Sequence, residues 1–311
     1  MSELRRIDVH FHVIPEFYRD AVYAAGSGPA IGRYPEWSPA QALELMDASG
    51  IAVALTSLAQ PGVQFAPSDS APALARRCND YAAELKARWP ARFGAFATVP
   101  LHRADEAVAE IERCYDALGF EGVCLFASYG AKFLGDPFFD PVLQCLDARC
   151  AAVFIHPAYH PSSRSLDLPW PGFVMEYLFD TTRAAVNLLL SGALDRFPRI
   201  RFILAHAGGT LPYFAWRLSV APLIDLRLPQ WPRERIFAGL KRFWYDIALS
   251  PGAQTMGALN AVASPDRILY GSDWPFANAR VVAAALQDYT AEGLLPAAAR
   301  AAIDRGNALT L

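Results

Sequence analysis

His10 and His12 stand either side of Phe11 in the run Ile7-Asp8-Val9-His10-Phe11-His12. Side chains of an extended strand alternate between faces, so Asp8, His10 and His12 are expected on one face and Ile7, Val9 and Phe11 on the other. Two imidazoles a strand step apart can grip a single ion, and histidine nitrogen is a common ligand of zinc and its neighbours. The pair alone fits two ordinary buried histidines equally well, so the rest of the chain must supply further ligands.

Polar residues of the right kind close three later apolar runs. Val153-Phe154-Ile155 leads to His156, and Phe202-Ile203-Leu204-Ala205 leads to His206 ahead of Gly208-Gly209. Ile268-Leu269-Tyr270-Gly271-Ser272 leads to Asp273. The two remaining histidines, His102 and His160, fall in loops. A hydrogen-bonded buried histidine would account for His156 alone, and a helix N-cap for Asp273 alone. Taken together they describe one gathering of ligands at the same end of several strands. A mixed His and Asp set suits zinc, manganese or iron better than magnesium or calcium.

The elements that must position these residues recur with a steady rhythm. Strand patterns cover residues 6–12, 51–58, 92–99, 121–127, 151–156, 200–206, 243–249 and 267–270. Helical patterns lie between and after them, including 38–50, with Ser38 as cap, Pro39 as first helical residue and Gly50 as stop, and a long stretch at 172–197. The strands are near-continuous apolar runs, as parallel strands covered on both faces should be. Eight strand–helix units in strict alternation predict an α/β chain folded as a (β/α)8 TIM barrel, one domain over residues 1–311. A doubly wound sheet would need a glycine-rich phosphate turn after the first strand, where this chain has His10 to Pro15. The Gly- and Pro-rich stretches 25–37 and 157–171 read as loop insertions on the face where barrel active sites sit.

Composition narrows the partners. The 311 residues are 53% hydrophobic and 19% charged, with a net charge of −3 and no long basic run. Nucleic acid and membrane are therefore not expected as partners. The five cysteines form no Cys-x-x-Cys pair. Together with the lack of an apolar leader at the N-terminus, this points to reduced thiols and a cytoplasmic protein.

The sequence resembles the amidohydrolase superfamily, in its branch related to aminocarboxymuconate-semialdehyde decarboxylase. The resemblance rests on Asp8-Val9-His10-Phe11-His12 with Pro15, His156-Pro157, His206-Ala207-Gly208-Gly209 and Tyr270-Gly271-Ser272-Asp273-Trp274-Pro275, and so runs the length of the chain. It implies a barrel of the amidohydrolase type. His10, His12, His156 and Asp273 would hold one divalent metal per subunit, zinc with manganese as the alternative, and His206 would be a catalytic group beside it. The two-metal members of the superfamily use a lysine or glutamate at the end of strand four. Here strand four ends in Leu125-Phe126-Ala127, and Lys132 lies farther on, so one metal is expected. Pro35-Glu36-Trp37-Ser38-Pro39, Gln60-Pro61-Gly62, Cys78-Asn79-Asp80 and Arg92-Phe93-Gly94 are similar to the 6-methylsalicylate decarboxylase subgroup.

The same resemblance implies roles for two arginines. Arg33 precedes Trp37 by four residues and Arg217 follows His206 by eleven, the spacings of arginines that grip the substrate carboxylate in muconate-semialdehyde decarboxylases. The second of these reaches a neighbouring subunit's site, which implies a homodimer or larger homo-oligomer. A solvated surface arginine is the plain alternative for both. Phe11, Trp37, Trp170 and Trp274 lie near the expected mouth and could wall a pocket for an aromatic ring, or could be core. The expected reaction is non-oxidative decarboxylation of a small ortho-hydroxylated aromatic carboxylate, with Asp273 as proton donor and His206 as relay. Hydrolysis of a lactone or amide by a metal-activated water is the alternative, and a non-catalytic metal-binding scaffold a weaker one.

Overall fold

The computed structural model describes residues 5–29, 31–166 and 169–311. Residues 1–4, at the expected N-terminus, and 30 and 167–168, within the two expected insertions, lie outside the described residues.

Eight strands form one parallel sheet in sequence order. They are β1 (Arg6–His12), β2 (Ile51–Ser57), β3 (Phe93–Thr98), β4 (Gly122–Phe126), β5 (Ala152–His156), β6 (Arg201–Leu204), β7 (Trp244–Asp246) and β8 (Ile268–Leu269). The sheet closes on itself where β1 meets the segment after β8. Val9 donates its N–H to Tyr270 O at 3.1 Å, Asp273 to His10 O at 2.8 Å and His12 to Trp274 O at 2.7 Å. Gly271 permits that approach, because a Cβ there would lie 2.8 Å from the Cβ of His10. The result is the expected (β/α)8 barrel.

Apolar side chains fill the interior in two shells. Leu55, Phe96, Phe154, Ile203, Trp244 and Leu269 pack inside the barrel, and a larger cluster lies between strands and helices. Local rules place the helices. Ser38 Oγ accepts the Gln41 N–H, Pro39 begins helix Pro39–Ser49, and Gly50 ends it in the left-handed region.

The chain after β1 forms a helix, Glu16–Ala24, in a stretch to which the sequence patterns assign no element. The structure also corrects two sequence expectations. The stretch 172–197 is not one helix. A 3-10 turn at Gly172–Val174 precedes helix Glu176–Leu190, and left-handed Gly192 separates that from a short turn at Ala193–Arg196. Finally, β1 does not alternate regularly. Its pairing with β2 slips between Asp8 and Phe11, and Ile7 and Val9 join the interior cluster. Asp8 Oδ1 accepts the His10 N–H at 3.0 Å and so holds the irregularity in place. A bulge of this kind re-aims side chains beside a site, here the two histidines.

The loops leaving β4 and β5 are tied together by one buried acid. Asp180, in helix Glu176–Leu190, accepts the Ser128 hydroxyl at 2.9 Å and the Ala158 N–H at 2.8 Å. Burial raises its pKa to about 6. An unfolded chain releases this proton near pH 4. Between about pH 4 and about 6 the folded form therefore holds the extra proton, and this carboxyl's contribution to stability falls as pH rises. Asp180→Asn keeps an acceptor for Ala158 and a partner for Ser128 but cannot titrate. Relative to the unsubstituted chain, its melting temperature should gain steadily from pH 4 to pH 6, and parallel curves would contradict the assignment.

Candidate metal centre

The barrel brings His10, His12, His156 and Asp273 together at the C-terminal ends of β1, β5 and β8. One ligand atom from each lies within 4.8 Å of all the others, and all four residues are buried. Asp273 Oδ1 stands 3.2 Å from His10 Nε2 and 3.1 Å from His12 Nε2. None of these three atoms has a hydrogen-bond partner of acceptable geometry. Orphaned buried polar atoms are costly, and three aimed at one point call for a common partner.

The other ring nitrogen of each histidine explains the arrangement. His10 Nδ1 meets Asp246 Oδ2 at 2.9 Å, and His12 Nδ1 meets Ser57 O at 3.3 Å. His156 Nδ1 meets Pro157 O at 2.8 Å, and His206 Nδ1 meets Ala248 O at 3.1 Å. Carbonyl and carboxylate oxygens can only accept, so Nδ1 of His10, His156 and His206 carries a proton, and Nε2 of the neutral ring presents a lone pair; His12 Nδ1 has both the carbonyl and, at 3.2 Å, the hydroxyl of Ser57 as partners. This is the tautomer that binds metal, held by the outer partners that such histidines need.

Ionisation follows from crowding. Burial lowers His12, His156 and His206, and the charge on His10 pushes the same way, which leaves three neutral imidazoles. Burial would lower His10 too, but Asp246 and Asp273 on either side outweigh it and raise it to about 10. Burial alone would raise Asp273, yet the His10 charge and the contacts of His10 and His12 hold it well below the usual carboxylate range. A proton trapped between two buried acids occupies the place a divalent cation would take, and three imidazoles with one carboxylate suit such an ion. His206 stands apart from this set. Its ring is 4.9 Å from that of His10, and its group of potential ligands is His10 and Asp246 instead.

Asp246 is the site residue that sequence reading missed. It accepts from His10 Nδ1, from the His206 N–H at 3.0 Å and from the Ala248 N–H at 2.9 Å. It ends β7, so it obeys the same strand-end rule as the histidines. The sequence pattern ran that strand on to residue 249 and hid it in the middle. The backbone nearby is strained. His206, Ala207, Leu249 and Asp273 are four of the five described non-glycine residues with positive φ. Such residues cost about 1–3 kcal/mol each and gather at functional sites.

Above the cluster lies a cavity of about 400 Å³. His156, His206 and Asp273 form its polar floor, and Tyr177, Leu178 and Phe276 are among its walls. Tyr177 donates its hydroxyl to Gln60 Oε1 at 3.0 Å, so these two make one polar edge. Among the described residues no lysine or arginine lines the cavity.

The residues expected to bind substrate lie elsewhere. The rings of Phe11 and Trp274 pack against each other, tilted, with centroids 4.9 Å apart, and that of Trp37 is 6.5 Å from that of Trp274. Phe11, which points away from the histidines beside it, and Trp274 belong to the core between strands and helices, and Trp37, partly buried, packs against that core. Trp170 is exposed and outside the cavity wall, and Arg33 and Arg217 are both exposed and outside it.

The family model described as Amidohydrolase matches residues 7–311. A 6-methylsalicylic acid decarboxylase of Aspergillus aculeatus is 38% identical over 287 residues, which cover 87% of this chain and 84% of that protein. A gamma-resorcylate decarboxylase of Rhizobium radiobacter is 34% identical over 249 residues, 76% of each chain. The crystal structure of a dihydroxybenzoic acid decarboxylase from Polaromonas sp. JS666, with bound manganese and the inhibitor 2-nitroresorcinol, superposes with a TM-score of 0.80 at 26% identity. It covers 100% of this chain and 96% of that one.

Asp246→Asn removes the carboxylate that fixes His10 while leaving the four potential ligands. Metal affinity is expected to fall about 10- to 100-fold, read as retained metal during titration with a chelator. Unchanged affinity in a folded variant would contradict the role given to Asp246.

Proposed function

The chain belongs to the amidohydrolase family, and on that premise we propose that it is a metal-dependent carboxy-lyase acting on a small ortho-hydroxylated aromatic acid of the 6-methylsalicylate kind. The observation that carries this reading is a His and Asp cluster at the floor of a largely apolar, ring-sized cavity in a chain 38% identical to a 6-methylsalicylic acid decarboxylase.

His10, His12, His156 and Asp273 would hold one divalent ion. We favour manganese over the zinc expected from the sequence, because the Polaromonas relative binds manganese and this ligand set accepts either. When bound, the ion supplies positive charge that fixes the carboxylate and phenolic oxygens and draws electron density from the ring.

This chain's own residues do the rest. The apolar walls orient the ring and exclude water. Expelling carbon dioxide first would strand an electron pair on an aryl carbanion. A proton is therefore added to the ring carbon bearing the carboxyl group, the carbon–carbon bond breaks, its electron pair restores the aromatic ring, and carbon dioxide leaves. We assign the proton delivery to Asp273 at the cavity floor. Ionised in the free site, it must take up a proton on substrate entry, and a dry cavity favours that neutral form. His206 also faces the substrate. Its Nδ1–H is committed to Ala248, so its Nε2 is the atom free to relay a proton.

That no basic side chain lines the cavity among the described residues supports the oligomer implied by the sequence. Arg217 sits on the exposed face of helix Leu211–Val220 beside Tyr213 and Trp216, which are 84% and 64% exposed, with Leu223 and Ile224 just beyond. An apolar face rich in aromatics and arginine suits an interface. We propose a homodimer or larger homo-oligomer in which Arg217 reaches the neighbouring site. We also place the protein in the cytoplasm, since its five cysteines are free, and expect neither nucleic acid nor membrane as a partner. Among the described residues no helix is long and apolar enough to cross a membrane.

Two experiments test these readings. Asp273→Asn should lower carbon dioxide release from 6-methylsalicylate by at least about 100-fold while an unreactive ring analogue still binds. Retained turnover, or acid production from a lactone panel instead of carbon dioxide, would sink the assignment. Sedimentation should show a dimer or larger species, with Arg217→Ala raising KM, and a fully active monomer would rule out a shared site.

A further inference from the structure

The cavity continues past the space above the metal cluster and opens through an apolar mouth. Ile31, Phe173, Val174, Leu249 and Val281 all line it, and each is 39–50% exposed. Half-exposed apolar groups that continue a ligand cavity mark a surface that something apolar covers. Two of them are held firmly. Leu249 keeps a left-handed backbone, with φ of 52°, directly after the Ala248 carbonyl that orients His206. A leucine gains nothing locally from that conformation, so the surroundings impose it. Val281 lies in the first turn of helix Ala279–Tyr289, where its N–H bonds to the Asn278 cap. Among the described residues no charged side chain shares this rim, and Ser250 and Gln60 are the nearby polar groups.

We propose that the preferred substrates are salicylates carrying a ring alkyl chain longer than methyl, with the chain laid along this rim. The inference rests on the decarboxylase reading above. Carboxyl and hydroxyl groups directed at the polar floor leave the opposite ring edge facing the mouth. A chain at position 5 points straight out along the rim, and one at position 6 reaches it by bending. An ionic tail would find no charged partner on this rim among the chain's own described residues. Each methylene buried along the rim should strengthen binding about threefold to fourfold.

The test uses the metal-loaded full-length enzyme with methyl-, propyl- and pentyl-salicylic acids substituted at position 5 or 6. The corresponding alkylphenol products serve as competitive inhibitors. In at least one series kcat/KM should climb by about that factor per methylene, and the inhibition constants of the phenols should fall in step. Val281→Gln places a neutral, helix-compatible side chain in the first turn, and should lower the pentyl-to-methyl ratio severalfold. The inference is overturned if the methyl acids are turned over while both series are flat or falling, or if Val281→Gln lowers every acid equally. Carbon dioxide from none of the acids would overturn the decarboxylase reading itself, and this inference with it.

Discussion

A single buried carboxylate, Asp246, holds the site together. One oxygen takes the Nδ1–H of His10, and the other takes the backbone N–H groups of His206 and Ala248. Strand β1, the turn after β6 and the segment after β7 are thereby fixed around one point. With no exposure to solvent, Asp246 relies on these donors to offset its desolvation. The protein can bury the charge only if the loops stay in register, and the loops stay in register because the charge is buried. The left-handed residues at 206, 207, 249 and 273 are strain that this network contains.

The barrel supplies what no single strand could. Neighbouring parallel strands bring Phe126 level with His156 and Leu269 level with Asp246. The strand ends then form one rim, and ligands far apart in sequence converge. Each histidine surrenders Nδ1 to an oxygen of its surroundings, so the direction of every Nε2 is set before any ion arrives. Preorganisation of this kind spares the site the entropy of assembling four ligands at the moment of binding.

Much of this was legible in the sequence because polar residues that end apolar runs are conspicuous. The alternation of strands and helices, the Ser38 and Gly50 caps and the gathering of His10, His12, His156 and Asp273 all follow from local rules. Asp246 escaped because its strand is short and continues into Ile247 and Ala248, which read as more strand. The bulge in β1 escaped because a side chain bonding back to its own strand leaves no periodic mark. Phe11, Trp37 and Trp274 were expected in the pocket because sequence position near a strand end says nothing about which side of the barrel a ring faces. Phe276 and Tyr177 wall the cavity instead, one two residues past Trp274 and one from a helix entered through an insertion. Helix Glu16–Ala24 was masked by the Gly- and Pro-rich stretch after it, although Tyr18 and Val22 carry its buried face at helical spacing.

The central claim is that the cluster works with one divalent ion and that the ion serves decarboxylation. Its most direct test is to strip the protein of metal and restore manganese stepwise while recording carbon dioxide released from 6-methylsalicylate. Activity should be absent at the start, rise in proportion to bound metal and level off at one ion per chain. Full turnover by the metal-free protein, or a plateau reached only at two ions per chain, would contradict the account.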